Sequence, residues 1–123
     1  MQTDALIIGS GLAGLSTALM LGEHQHVILA SKTKLLSGAS QWAQGGIAAS
    51  PRDDIQGHID DTLIAGDKHC NAKVVSETLA HAQDAIEWLK AKGVQFGKVN
   101  QQDCLRREGG HSKRRIYHVA DHT

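Results

Sequence analysis

Asp4-Ala5-Leu6-Ile7-Ile8-Gly9-Ser10-Gly11-Leu12-Ala13-Gly14 decides how the rest of the sequence is read. Residues 4–8 form a nearly unbroken apolar run that stops at a glycine, the pattern of a short strand buried on both faces of a parallel sheet. From Leu12 to Leu21 the residues Leu12, Leu15, Ala18 and Leu19 fall on one helical face, and Gly22 offers a stop. His26-Val27-Ile28-Leu29-Ala30 repeats the strand pattern. After a crossover helix it should lie parallel to the first strand, by the right-handed rule. The first thirty residues therefore predict one βαβ unit.

Gly9-Ser10-Gly11-Leu12-Ala13-Gly14 is G-x-G-x-x-G at the junction of that strand and that helix. In this setting Gly9 permits the tight turn, Gly11 removes the side chain that would hold a pyrophosphate off the backbone, and Gly14 lets the helix pack closely. The helix N-terminus adds unpaired N–H groups and a partial positive charge. A purely structural turn is the plain alternative, and the placement favours dinucleotide binding. The second strand ends in Ser31 and Lys32 instead of the acidic residue that bonds an NAD ribose, which weakens an NAD reading. Lys32 is left with three readings: a phosphate contact as in an NADP site, a position near the adenosine of FAD, or a solvated lysine.

Outward from this unit, Ser31 to Ser50 is rich in Ser, Gly, Ala and Gln without a sustained period, so it predicts a long loop with at most one short helical turn. Asp53 or Asp54 is placed to cap a helix through Ile55, Ile59 and Leu63 that ends at Gly66. Val75, Leu79, Ala82, Ile86 and Leu89 predict one longer helix, capped by Asn71 and ended before Gly93. The remainder from Val94 is mostly polar. The expected fold class is α/β: a Rossmann-like βαβ unit followed by a long loop and helices.

Among 123 residues, 13 Lys+Arg balance 13 Asp+Glu, so no long-range field exists to attract nucleic acid or an anionic membrane, and the expected partner is a small molecule. No stretch approaches the roughly 20 apolar residues of a membrane helix. The run 5–8 lacks the basic flank and cleavage site of a signal peptide. Cys70 and Cys104 have no C-x-x-C spacing, which fits reduced thiols and a cytoplasmic location. Eight histidines raise the question of a metal, and His118 with His122 has i, i+4 spacing, but no H-E-x-x-H context or third ligand accompanies it. No metal is expected. Lys113-Arg114-Arg115 in a neutral chain reads as a solvated face or a carboxylate site before a nucleic-acid patch.

Ser37-Gly38-Ala39-Ser40-Gln41-Trp42-Ala43-Gln44-Gly45-Gly46-Ile47-Ala48-Ala49 combines glycines and small residues, which let backbone approach a flat ligand, with Ser and Gln side chains that can hydrogen-bond polar ring edges. A flexible surface loop is the plain alternative. Together with the glycine loop, this stretch resembles the succinate dehydrogenase, fumarate reductase and L-aspartate oxidase flavoprotein family. The resemblance implies a Rossmann-like FAD-binding domain. Residue by residue, it implies FAD contacts from Ser10, Gly11, Leu12, Ala13 and Lys32, and from Ala39 through Gly46. Respiratory members tether FAD through a histidine five residues before the Q-G-G glutamine. That position here is Ala39, so the implied FAD is non-covalent.

Leu105-Arg106-Arg107-Glu108-Gly109-Gly110-His111-Ser112-Lys113-Arg114-Arg115-Ile116-Tyr117-His118-Val119-Ala120-Asp121 resembles the aspartate-oxidising branch of that family, whose dicarboxylate dehydrogenases carry a different residue at the Glu108 position. The resemblance implies FAD-dependent oxidation of L-aspartate to iminoaspartate, with O2 or fumarate as acceptor. The product would feed quinolinate and NAD synthesis, in functional link with quinolinate synthase. Aspartate differs from succinate by an ammonium group, for which a carboxylate is the natural partner. Glu108 is the candidate, and pairing with a neighbouring arginine is its alternative. His111 is either a core or a substrate-site residue, and Gly109 and Gly110 favour the latter. His58 with Asp60-Asp61-Thr62-Leu63-Ile64-Ala65-Gly66 resembles a further family stretch, read as scaffold.

Residues 1–123 are expected to supply only the N-terminal part of the FAD-binding domain. The remaining FAD-binding segments, the capping domain, the C-terminal helical domain and the proton-accepting arginine would lie beyond Thr123. No catalytic residue is therefore expected within the chain, which should be inactive by itself. Three readings stand: an L-aspartate oxidase segment, the flavoprotein subunit of a fumarate reductase or succinate dehydrogenase, and a non-catalytic FAD-binding remnant.

Overall fold

The computed structural model describes residues 2–119. They form two compact units, one ending at Gln44 and the other beginning at Gly45. In the first unit, β1 (Ala5–Ile8) and β2 (Val27–Ala30) pair in parallel, Ala5 opposite Val27 and Ile8 opposite Ala30. They are joined by α1 (Leu12–Leu21), as the sequence predicts. The hydroxyl of Thr3 and the carboxylate of Asp4 bond the backbone of His26, which fixes the register at the start of the sheet.

Burial departs from the sequence reading. β1 alternates half-buried Ala5 and Ile7 with exposed Leu6 and Ile8, the latter 84% exposed. Along α1, Leu15 and Ala18 are half-buried while Leu12 and Leu19 are exposed. The cause is that two strands and one helix cover only one face of the pair, so the outward set of apolar side chains has no layer against it within this unit. The long loop holds one 3-10 turn, Ala39–Trp42, as expected.

The second unit begins with β3 (Ile47–Ala48), which pairs antiparallel with β6 (Ile116–Tyr117). A 3-10 turn, Arg52–Asp54, leads into α2 (Ile55–Ala65), which stops at Gly66. Asp54 occupies the N-cap but makes no side-chain capping bond, because its carboxylate is used elsewhere. The helix expected from Asn71 to Gly93 is two helices, α3 (Ala72–Ala80) and α4 (Ala82–Ala91), broken at His81. Asn71 does cap the first, its Oδ1 accepting from the N–H groups of Lys73 and Val74. The bend lets α3 lie along α2 while α4 turns Ile86 into a core with Ala49, Phe96 and Tyr117.

The polar C-terminal stretch carries more order than its composition suggests. β4 (Lys98–Val99) and β5 (Gln102–Asp103) form a hairpin whose two turn residues, Asn100 and Gln101, both have positive φ, as a primed two-residue turn requires. Lys90 on α4 holds that hairpin through Asp103, Nζ to Oδ2 2.8 Å. Phe96 and Tyr117 meet edge to face with ring centroids 5.4 Å apart. Among the described residues, no helix is long and apolar enough to cross a membrane.

Candidate functional site

In the first unit the glycine loop sits where β1 hands over to α1. Gly9 has φ +109°, a conformation that side chains resist, and its N–H donates to the Ala30 carbonyl at 2.8 Å, tying the turn to the end of β2. Gly14 is required for a different reason: a Cβ there would collide with the Gly9 carbonyl oxygen. Gly11 differs from both. A Cβ there would meet only the Ser40 hydroxyl at 3.7 Å, so this part of the backbone faces open space that a ligand can enter.

Side chains secure the surroundings of that opening. Ser40 Oγ accepts from the Leu12 N–H at 3.2 Å, and the hydroxyls of Ser10 and Ser31 are 3.0 Å apart. A cavity of about 200 Å³ opens beside them, lined by Ser10, Leu15, Leu35, Leu36, Gly38, Ser40 and Gln41. Small-molecule pockets usually run from roughly 300 to 1,000 Å³, so this one can hold only part of a dinucleotide. The positive-φ turn, the bare backbone at Gly11 and the positive end of α1 fit a bound pyrophosphate. Lys32 at the end of β2 is exposed, as are Ala39, Gln41, Trp42, Ala43 and Gln44.

In the second unit, residues 106–115 form a loop closed at its base by Arg106 and Ile116, whose backbones exchange hydrogen bonds of 2.9 and 3.0 Å. Its C-terminal half is anchored to α2 and the residue capping it by charge. Arg115 is fully buried, and its guanidinium is bonded to Asp61 and, at 2.9 Å, to Asp54. Asp54 also takes Lys113 Nζ at 2.7 Å, while Asp61 accepts from both the N–H and the hydroxyl of Ser112 at 2.8 Å. The Lys113 ammonium, with Arg115, holds the Asp54 carboxyl below its usual range. The Ser112 N–H, Arg115 and the Ser112 hydroxyl do the same to Asp61 more strongly. Burial works against the Arg115 charge, but Asp61 and Asp54 outweigh it and keep the guanidinium protonated. Such a buried ion cluster is weak evidence of net stability; its firmer consequence is geometric, fixing where the loop lies against α2.

Of the two candidate substrate residues, His111 is half-buried. Its ring centroid lies 5.5 Å from that of buried His58, and its Nδ1 is 3.4 Å from the Arg115 guanidinium. Burial, then the charge of Arg115, pushes the His58 imidazole below its ordinary pKa. Glu108 is half-exposed and bonds His118 Nε2 through Oε1 at 3.0 Å, so its partner is a histidine and not a neighbouring arginine. The loop thus brings Glu108 and His118 together and sets His111 beside Arg115. Of the two readings of Lys113-Arg114-Arg115, Arg115 follows the carboxylate one and not the solvated face, being fully buried on Asp61 and Asp54; which carboxylates it takes is not legible in the sequence, since Asp61 and Arg115 lie 54 residues apart. His122 and Asp121 lie outside the described residues.

The sequence pattern of the FAD binding domain family matches residues 4–123. The chain belongs to that family. As an FAD-binding domain it is 46% identical to the L-aspartate oxidase of Pseudomonas aeruginosa over 132 residues, covering 99% of this chain and 24% of that protein. It is 49% identical over 127 residues to the L-aspartate oxidase of Neisseria meningitidis serogroup B, covering 100% of this chain and 25% of that protein. The chain therefore spans about a quarter of the length of these curated relatives. Among solved structures, Mycobacterium smegmatis Sdh1 in complex with UQ1 superimposes with a TM-score of 0.88 at 28% identity, covering 98% of this chain and 21% of that one. A quinol-fumarate reductase with menaquinol molecules gives 0.87 at 28% identity, covering 98% and 22%. The α/β reading and FAD as the cofactor of this domain agree with these likenesses.

Proposed function

We propose that this chain forms the N-terminal part of the FAD-binding domain of an L-aspartate oxidase, an enzyme that converts L-aspartate to iminoaspartate with O2 or fumarate as acceptor. The observation that carries the reading is the pair Ala39 and Glu108 in a chain 42–49% identical to L-aspartate oxidases over essentially its whole length. Alanine at position 39 offers no atom for a covalent flavin bond, which sets the chain apart from a respiratory flavoprotein subunit. Glu108 supplies the carboxylate that a substrate ammonium needs and a dicarboxylate lacking nitrogen does not.

Bound FAD supplies two-electron acceptance. The chain's own residues then have three tasks. Gly9, Ser10, Gly11, Leu12, Ala13 and Gly14 hold the diphosphate at the head of α1, with Lys32 toward the adenosine side. Ala39, Ser40, Gln41, Trp42, Ala43, Gln44, Gly45 and Gly46 provide small residues and amides against the ring system. Glu108 receives the substrate ammonium, and His111, steadied by Arg115, lines the same loop. The remaining FAD-binding segments, the capping and helical domains and the proton-accepting arginine belong to residues beyond this chain in this reading. A cytoplasmic location and a product passed to quinolinate synthesis follow from it.

The test is anaerobic. L-Aspartate added to the flavin-loaded full-length protein should bleach the visible flavin absorbance, and succinate should not. Glu108→Gln should weaken aspartate oxidation by on the order of a hundredfold, the worth of one charge-assisted bond, and leave the reduction of fumarate by dithionite-reduced flavin, which needs no aspartate, near its starting value. Bleaching by succinate with none by aspartate would favour the fumarate reductase reading; equal losses on both substrates in Glu108→Gln would remove Glu108 from recognition.

A further inference from the structure

His118 follows directly on β6, whose Ile116 and Tyr117 are both buried, and its carbonyl accepts the Gly97 N–H at 2.8 Å. Its backbone is therefore fixed from two sides, and its side chain is only 14% exposed. Nε2 bonds Glu108 Oε1 at 3.0 Å. The same nitrogen lies against Gly46: a Cβ built on that glycine would come within 2.8 Å of it. One imidazole thus packs on the Q-G-G stretch and holds a carboxylate on the loop 106–115, two segments far apart in sequence. Glu108 itself is half-exposed and, without this bond, would be free to turn into water or toward Arg106 and Arg107.

We infer that His118 is a positioning residue for substrate selection: its imidazole fixes the Glu108 carboxylate beside Gly46 so that one oxygen stays available for the ammonium of an amino dicarboxylate. The inference rests on the functional reading above and deepens it. The chemistry needs both carboxylate oxygens. An ionised carboxylate only accepts hydrogen bonds, and a neutral imidazole with its proton on Nε2 donates to one oxygen, leaving the lone pairs of the other for an N–H of the substrate. A lysine or arginine in the same place would neutralise the carboxylate and compete with the ligand. A histidine donates without a fixed charge. Selectivity follows because a substrate without nitrogen makes no use of the pair, so disturbing His118 should be felt by aspartate and not by fumarate.

The test uses the flavin-loaded full-length protein. His118→Leu should raise the KM for L-aspartate on the order of tenfold, the effect of one hydrogen bond to a charged group, with kcat, and the KM for fumarate measured with dithionite as the electron donor, within about twofold. His118→Gln, whose amide N–H can reach the same oxygen, should recover most of the loss. In a Glu108→Gln background His118→Leu should add nothing, since the two act as one unit. Equal losses for aspartate and fumarate, or additive losses in the double variant, would overturn the inference. Should His118→Leu fail to fold, the 15N resonance of the His118 ring in the 15N-labelled full chain decides, because Glu108→Gln leaves the histidine in place. That resonance should move on Glu108→Gln, and an unmoved one would overturn the pairing. If the unaltered protein ignores aspartate, the functional reading fails; if it oxidises aspartate and His118 proves indifferent, only the present inference does.

Discussion

Alanine placed separately at Gly11 and Gly14 divides the two duties of the glycine loop. At Gly14 the added methyl would overlap the Gly9 carbonyl oxygen and stand 3.1 Å from its carbon and 3.5 Å from Ile7 Cγ2. Backbone cannot swing aside as a long side chain can, so α1 must retreat from β1 or the Gly9 turn must deform. Overpacking of this kind costs about 1–3 kcal/mol. At Gly11 the methyl meets only Ser40 Oγ at 3.7 Å, and the backbone, at φ −71° and ψ 178°, suits alanine as well as glycine. Folding should then be unchanged or stabilised by about 0.4–1 kcal/mol through the unfolded chain. The same methyl occupies the space through which a diphosphate reaches the peptide, so FAD affinity should fall at least about tenfold, or about 1.4 kcal/mol. Urea unfolding without flavin and titration of FAD followed by quenching of its fluorescence measure the two quantities. Gly14→Ala should lose both stability and affinity, Gly11→Ala affinity alone. A Gly11→Ala protein that binds FAD like the unaltered one would refute the assignment of that backbone to the phosphates.

Two further outcomes follow from the second unit. Ile86 is fully buried against Ala49, Phe96 and Tyr117, so Ile86→Ala should cost about 2–5 kcal/mol by denaturant unfolding, with no direct effect on the glycine loop. His58 has a folded pKa below its unfolded value of about 6.5, so the folded state binds fewer protons there. Its stabilisation is complete above that value and is lost as pH falls through the folded pKa. Unfolding midpoints should therefore decline from pH 7 toward pH 5, and His58→Leu should flatten that decline. The lowered carboxyls of Asp54 and Asp61 act in the same direction in a more acid window, their contribution disappearing only as pH drops below about 4.

The βαβ unit was legible because apolar run, glycine and helical face occur in immediate succession, and local patterning suffices to set them. β3 and β6 were not, since two residues contain no period and their pairing joins Ile47 to Tyr117 across seventy positions. The hairpin of Asn100 and Gln101 lacks the glycine that usually announces such a turn. Nothing in the composition near His81 marks the break between α3 and α4. Hydrophobicity was read as burial at Leu6, Ile8 and Leu12, yet burial needs a covering layer, and a strand sequence cannot say whether one is present. At the site, the glycine loop declared itself through spacing. The sequence offers for His118 only its spacing to His122 and its place in the family-like stretch, because its bond to Glu108 depends on how the loop 106–115 folds back, which sequence distance does not encode.

FAD held without a covalent bond is the claim on which the rest stands, and acid extraction of the purified full-length protein tests it most directly. The account predicts one FAD per chain, released intact into the supernatant while the precipitated protein is left colourless. A protein that carries no flavin and takes none up, or one whose flavin stays with the precipitate, would contradict it.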